Sequence, residues 1–153
     1  MMLSYDFLYD YCKNNDLQME SIKSQYFALL RLLTDALDVS MDVFLENLEK
    51  INHMGSIIIC LDGDRIVGSG TVIIEPKMIH AGRSVGHIED IVVDTEYRGL
   101  GIAREILNRL AEVSYRNNCY KVILDCADEL VGFYSKMDFV RKGSQMAHYM
   151  EDD

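Results

Sequence analysis

Within residues 86–104 the chain changes its hydrophobic period. Gly86-His87-Ile88-Glu89-Asp90-Ile91-Val92-Val93 is β-branched and apolar, with two carboxylates near its entrance, and suits a strand. Asp94-Thr95-Glu96-Tyr97 is a polar turn. Arg98-Gly99-Leu100-Gly101 then opens a segment in which Ile102, Ile106, Leu107, Leu110 and Val113 recur at helical spacing. A strand feeding a helix through glycines points to an α/β fold. It also points to anion chemistry. A helix N-terminus carries unpaired N–H groups and about half a positive charge, and glycines let an anion approach those amides. Arg98 and Arg104 bracket the same turn.

The turn lacks the third glycine of a dinucleotide fingerprint and the Gly-Lys-Ser/Thr of a nucleoside-triphosphate loop. Arg98-Gly99-Leu100-Gly101-Ile102-Ala103 instead resembles the Gln/Arg-x-x-Gly-x-Gly/Ala signature of the GNAT superfamily of N-acetyltransferases. That resemblance implies that loop amides hold the pyrophosphate of acetyl-CoA. It also implies a single mixed, splayed central sheet flanked by helices, with the acyl-CoA in the gap between the central strands.

At 153 residues the chain fits one domain, residues 1–153, able to bury about two thirds of its unfolded surface. The net charge of −10 argues against a nucleic-acid partner, which demands clustered cations. An acidic protein that binds an anionic cofactor must concentrate positive potential locally, and Arg98, Arg104, Arg109 and Lys121 are the candidates. No window is apolar enough to span a membrane and no signal peptide is evident, so an intracellular, cytoplasmic protein is expected. The four cysteines lack Cys-x-x-Cys spacing and read as reduced structural thiols. The four histidines lack ligand spacing, so no metal site is expected.

Along the chain, the aromatic alternation of residues 3–12 suits a strand. Residues 17–37 carry a helical stripe, and Ser40 is placed to cap a second helix over 41–53. Residues 56–61 and 65–75 read as strands joined by Asp62-Gly63-Asp64, a hairpin signal. Gly68 and Gly70 inside the second mark a bulge or a close backbone approach, or simply lost packing. Residues 77–84 form a loop, 120–126 a buried strand, 129–136 a short helix and 139–149 a last strand.

Several further motifs narrow the resemblance. The 86–93 run, Cys119-Tyr120-Lys121-Val122-Ile123-Leu124-Asp125-Cys126, Val131-Gly132-Phe133-Tyr134-Ser135-Lys136 and Lys77-Met78-Ile79-His80 are similar, in this order, to eukaryotic-type glucosamine 6-phosphate N-acetyltransferases. The implied reaction moves acetyl from acetyl-CoA to the amine of glucosamine 6-phosphate. Such a transfer needs a neutral amine, a polarised thioester and a proton for the departing thiolate. Tyr134 can supply that proton, although it also reads as a core aromatic beside Phe133. Glu89, Asp90 and Asp125 can hold the ammonium and accept its proton, although each alone also reads as a solvated strand end.

By the same resemblance, the backbone of Ile91, Val92 and Val93 pairs with the pantetheine arm. Arg98, Gly99, Leu100, Gly101, Ile102, Ala103 and Arg104 cradle the pyrophosphate, and Tyr134 meets the sulfur. Thr34, Lys77, Met78, Ile79, His80, Glu89, Asp90 and Asp125 line the sugar-phosphate pocket, with Tyr120 and Lys121 reaching it from a second subunit of a homodimer. Three positions depart from the pattern: Leu130 where Asn is common, Asp138 where Gly is usual, and Tyr149 where an Arg contacts the phosphate. Another small amine, a protein amine as acceptor, or a non-catalytic acyl-CoA-binding module are the alternatives.

Overall fold

The computed structural model describes residues 1–151. Strands β1 (Leu3–Phe7), β2 (Gly55–Asp62), β3 (Arg65–Pro76), β4 (Ser84–Val93) and β5 (Cys119–Ile123) lie side by side in chain order. The first four are antiparallel and β5 is parallel to β4, which makes the sheet mixed. Helices α1 (Leu8–Asn14), α2 (Met19–Leu30) and α3 (Met41–Met54) cover one face, where Leu8, Ile22, Phe44 and Leu48 pack against Ile57, Ile59 and Val92. Helix α4 (Ile102–Arg116) and the short α5 (Val131–Ser135) cover the other, where Ile102, Ile106, Leu110 and Tyr134 meet Ile58, Val67, Val72 and Ile88.

Local chemistry explains most boundaries. The Ser40 hydroxyl accepts from the Val43 amide at 3.2 Å and starts α3, a cap worth about 1 kcal/mol. Gly63, at φ 62°, turns β2 into β3. Gly68 and Gly70 are both close approaches and bulge sites. A Cβ on Gly68 would lie 2.8 Å from Ile102 Cγ2, so α4 packs onto the sheet where side chains are missing. Opposite Gly70, β4 spends two residues, Asp90 and Ile91, between the pairs Ser69↔Val92 and Thr71↔Glu89. Asp90 absorbs the extra residue at φ 53°, a left-handed conformation that costs a non-glycine residue about 1–2 kcal/mol.

Four expectations need correction. Residues 3–12 are not one strand: the chain turns helical at Leu8, because Leu8 and Cys12 sit one turn apart and both reach the core. The helix expected over 17–37 begins as a 3₁₀ turn at Asp16–Gln18 and ends at Leu30; beyond it Leu37 is 84% exposed, with no layer left to cover it. The strand expected over 120–126 is Cys119–Ile123. Residues 139–149 form no strand; beyond Phe139, which packs beside Tyr134, this segment is exposed and pairs with no edge among the described residues.

Candidate active site

The splay is visible in the register. Strands β4 and β5 pair from Ser84↔Cys119 to His87↔Ile123, where β5 ends while β4 continues to Val93. From Ile88 onward, the side of β4 away from β3 has no strand partner. Its amides and carbonyls are the open edge that an extended, amide-bearing arm could join. Ile91 and Val93 turn their side chains toward the α4 layer and Val92 toward the α2 layer, so their contribution to such an arm is backbone.

Beyond β4, Asp94 caps the 3₁₀ turn Thr95–Tyr97 by accepting from the Glu96 amide at 2.9 Å. Gly99 and Gly101 both adopt φ 79°, which delivers the chain into α4. No side chain caps that helix, so its first amides remain available as donors. Ile102 is fully buried and offers only its backbone, whereas Arg98, Gly99 and Leu100 are exposed. The arginine ion pairs of the described residues belong to Arg65, Arg109, Arg116 and Arg141, which leaves Arg98 and Arg104 outside them. Arg109 is not part of this site: it bonds Glu105 at 2.8 Å and stacks on Tyr5 of β1, 4.6 Å from the ring centre, at the sheet edge away from β5. The open edge, the uncapped amides and two uncommitted arginines fit the pantetheine and pyrophosphate of an acyl-CoA.

At the mouth of the split, Glu89 feels both Asp90 and Asp125. Burial first, then these two neighbours, raise the Glu89 carboxyl above the ordinary range, while His87 opposes the shift. On the α4 side, Tyr134 is only 8% exposed and packs with Phe133 and Phe139 at ring distances of 5.0 and 5.9 Å. Its phenol is raised by burial and by nearby Cys126, so it stays protonated and able to donate. The core role and the donor role are therefore compatible in one residue.

The remaining expected residues form a second group. Tyr120 stacks on His80 at 4.0 Å, and Lys121 stands over the Tyr120 ring at 5.6 Å. Lys77 is held by Glu75 at 2.8 Å, and Glu75 also meets His87 at 3.0 Å. Met78 and Ile79 are exposed in the loop between, where His80 and Ala81 both take positive φ. Lys121 stands level with Val85 within β5, whereas Asp125 lies two residues past the end of that strand. Thr34 lies in an exposed turn after α2, its amide donating to the Leu30 carbonyl at 3.3 Å. Asp138 has φ 68°, which explains why glycine is usual there and why Asp, tolerant of that region, can replace it. Tyr149 lies in the exposed final segment. Among the described residues no group of His, Cys, Asp and Glu gathers in a metal-holding arrangement, and no helix is long and apolar enough to cross a membrane.

Residues 19–139 match the acetyltransferase (GNAT) family. The chain belongs to that family. This acetyltransferase is 40% identical over 131 residues to the glucosamine 6-phosphate N-acetyltransferase of Trypanosoma brucei brucei, covering 83% of this chain and 88% of the relative. It is 34% identical over 138 residues to glucosamine 6-phosphate N-acetyltransferase 1 of Oryza sativa subsp. japonica, covering 87% and 84%. The crystal structure of glucosamine-6-phosphate N-acetyltransferase from Arabidopsis thaliana superposes with a TM-score of 0.85 at 28% identity, covering 99% of this chain and all of that one. The mixed splayed sheet is thus the acetyltransferase fold.

Three polar residues of the acetyltransferase escaped the sequence reading. Tyr26 of α2 and Ser69 and Thr71 of β3 come together beneath the carboxylates, all buried. Their signal was present: Ser69 and Thr71 alternate with Gly68 and Gly70 in an otherwise apolar strand, which gives one face of that stretch hydroxyls only.

Proposed function

We propose that this chain transfers acetyl from acetyl-CoA to the amine of D-glucosamine 6-phosphate, giving N-acetyl-D-glucosamine 6-phosphate and CoA. The observation that carries the reading is that Glu89 and Asp90 lie on the stretch of β4 beyond its pairing with β5 and Asp125 just past the end of β5, in a chain whose relatives bear that activity in their names. When bound, acetyl-CoA supplies the activated acyl group. The open edge of β4 holds the arm, and the amides of residues 99–104 with Arg98 and Arg104 hold the pyrophosphate. Asp90 and Asp125 attract the ammonium, and Glu89, the carboxyl raised by its surroundings, takes the amine proton. Tyr134 gives its phenolic proton to the departing thiolate.

The phosphate is read by cations from a second copy. The family resemblance implies that Tyr120 and Lys121 reach the sugar from a second subunit, and among the described residues the outer edge of β5 is unpaired and open to one. Beside them, exposed Met78 and Ile79 offer apolar surface for a homodimer with shared sites. The enzyme works as one domain in the cytoplasm, without nucleic acid, membrane or metal, and its product feeds UDP-N-acetylglucosamine synthesis. A thiol-release assay with acetyl-CoA and a panel of amines tests this. Glucosamine 6-phosphate should exceed glucosamine, a polyamine, an aminoglycoside and a lysine peptide in kcat/KM. Preference for a polycation would replace the acceptor, and release with none of them would leave an acyl-CoA-binding module.

A further inference from the structure

We infer that Tyr26, Ser69 and Thr71 are positioning residues that act through Glu89, forming a hydroxyl cluster that keeps its carboxylate ionised and aimed at the amine. The inference rests on the proposed role of Glu89 as proton acceptor. Register places the cluster. Thr71 is the direct cross-strand partner of Glu89, and Ser69 lies two residues along the same face. Between them is Gly70, opposite the bulge that swings Asp90 into the left-handed region. From α2, the Tyr26 hydroxyl reaches toward both hydroxyls and lies in the field of Asp90. Two β3 hydroxyls and one phenol therefore underlie the strand segment that presents the carboxylates.

Packing alone does not account for these residue types. Ser69 is 1% exposed, and its Oγ is the one buried side-chain polar atom of the described residues without a hydrogen-bond partner. Alanine or valine would fill this position with no hydroxyl to satisfy, and the Tyr26 phenol is the polar group with which Ser69 and Thr71 interact. Tyr26 shows the same conflict, its phenol pushed up to about 12 by burial and by Asp90. Glu89 is faced by Asp90 on its own strand, by Asp125 beyond β5, by His87 two residues back, and across the sheet by Thr71 with Tyr26 behind it. Two of these neighbours are carboxylates that oppose its ionisation. A Thr71 hydroxyl directly across the ladder from Glu89 would favour the charged form without adding a charge that would repel the ammonium.

The test is a ¹³C NMR titration of the Glu89 carboxyl in the ligand-free protein, beside pH profiles of kcat/KM for glucosamine 6-phosphate. Thr71→Val and Tyr26→Phe should move the Glu89 midpoint and the acidic limb upward together by about half a pH unit to one unit, while Thr71→Ser restores both. The KM for acetyl-CoA should not change. A Glu89 midpoint that is the same in parent, Thr71→Val and Tyr26→Phe overturns the inference. Should Thr71→Val fail to fold, Tyr26→Phe, which removes a single oxygen, decides the matter. Glu89→Gln separates this from the reading beneath it. If that variant keeps the parental acidic limb, the proton acceptor is another group and the earlier assignment falls, whatever the NMR midpoints do.

Discussion

Gly70 passes so close beneath Ile91 that a Cβ added to it would lie 2.5 Å from the Ile91 Cδ1 atom. The same Cβ would meet Ile106 of α4 at 2.7 Å, so the bulge of β4 and the seating of α4 both depend on this missing side chain. Gly70→Ala should therefore destabilise the fold by about 1–3 kcal/mol, as overpacking of a well-filled core does. Urea denaturation measures it, and an unchanged midpoint would show that Ile91 and Ile106 relax freely.

Gly101→Val should weaken acetyl-CoA binding severely while the rest of the protein stays folded. At φ 79° a β-branched residue is strongly disfavoured, yet an added Cβ there meets no neighbour, so the damage stays in the loop that delivers the amides of α4. Calorimetric titration with acetyl-CoA reads the loss directly. Parental affinity would reduce the loop to a turn.

Tyr134→Phe should lower turnover by about 10²- to 10⁴-fold with little change in acetyl-CoA affinity, the mark of one lost general acid. The ring keeps its place among Phe133 and Phe139, so the variant should melt close to the parent. Parental turnover, measured where chemistry limits the rate, would return Tyr134 to a purely structural role.

Glu89→Gln should abolish most activity and still raise the melting temperature at pH 7. The sign follows from linkage. A carboxyl raised in the folded state binds its proton more tightly there than when unfolded, so its ionisation opposes folding. That penalty is absent below the unfolded value of about 4.3 and develops as pH rises through the folded one. Melting curves of parent and variant should thus converge near pH 4 and separate toward neutrality; a variant less stable at pH 7 would contradict burial beside two carboxylates as the origin of the shift.

Lys121→Ala should raise KM for glucosamine 6-phosphate about 10- to 100-fold, in line with loss of a charged hydrogen bond, and leave that for acetyl-CoA unchanged. Because the lysine is proposed to serve the neighbouring copy, mixing it with an Asp125→Asn variant should yield some dimers that hold one intact site. Activity recovered on mixing reports this; equal losses toward phosphorylated and unphosphorylated glucosamine would remove Lys121 from phosphate recognition.

The parts of the fold legible in the sequence were those with local causes. Ser40 announced a cap, Asp62-Gly63-Asp64 a hairpin, and Arg98 to Arg104 a glycine-led helix start, because each needs only neighbours in the chain. The misread segments depend on distant contacts. Tyr5 and Phe7 alternate as a strand should, but whether Leu8 continues that strand or begins a helix is settled by the α3 layer it packs beside. Residues 139–149 look strand-like because Val140 and Tyr149 suit one, yet a strand exists only where an edge receives it. The site followed the same division. Carboxylates and the phenol were visible as residue types, whereas the bulge at Asp90 and the hydroxyls beneath it arise from the pairing of β3 with β4.

The early end of β5 leaves the sheet with open rungs along β4. A permanent strand there would finish the ladder and close the enzyme. In the proposed binding mode the donor is a temporary member of the sheet, so part of what holds the protein together would arrive with each acetyl-CoA and depart with each CoA. Resistance to proteolysis and amide exchange near Ile91 to Val93 should then rise and fall with cofactor supply, tying the protein's persistence to how often it is used.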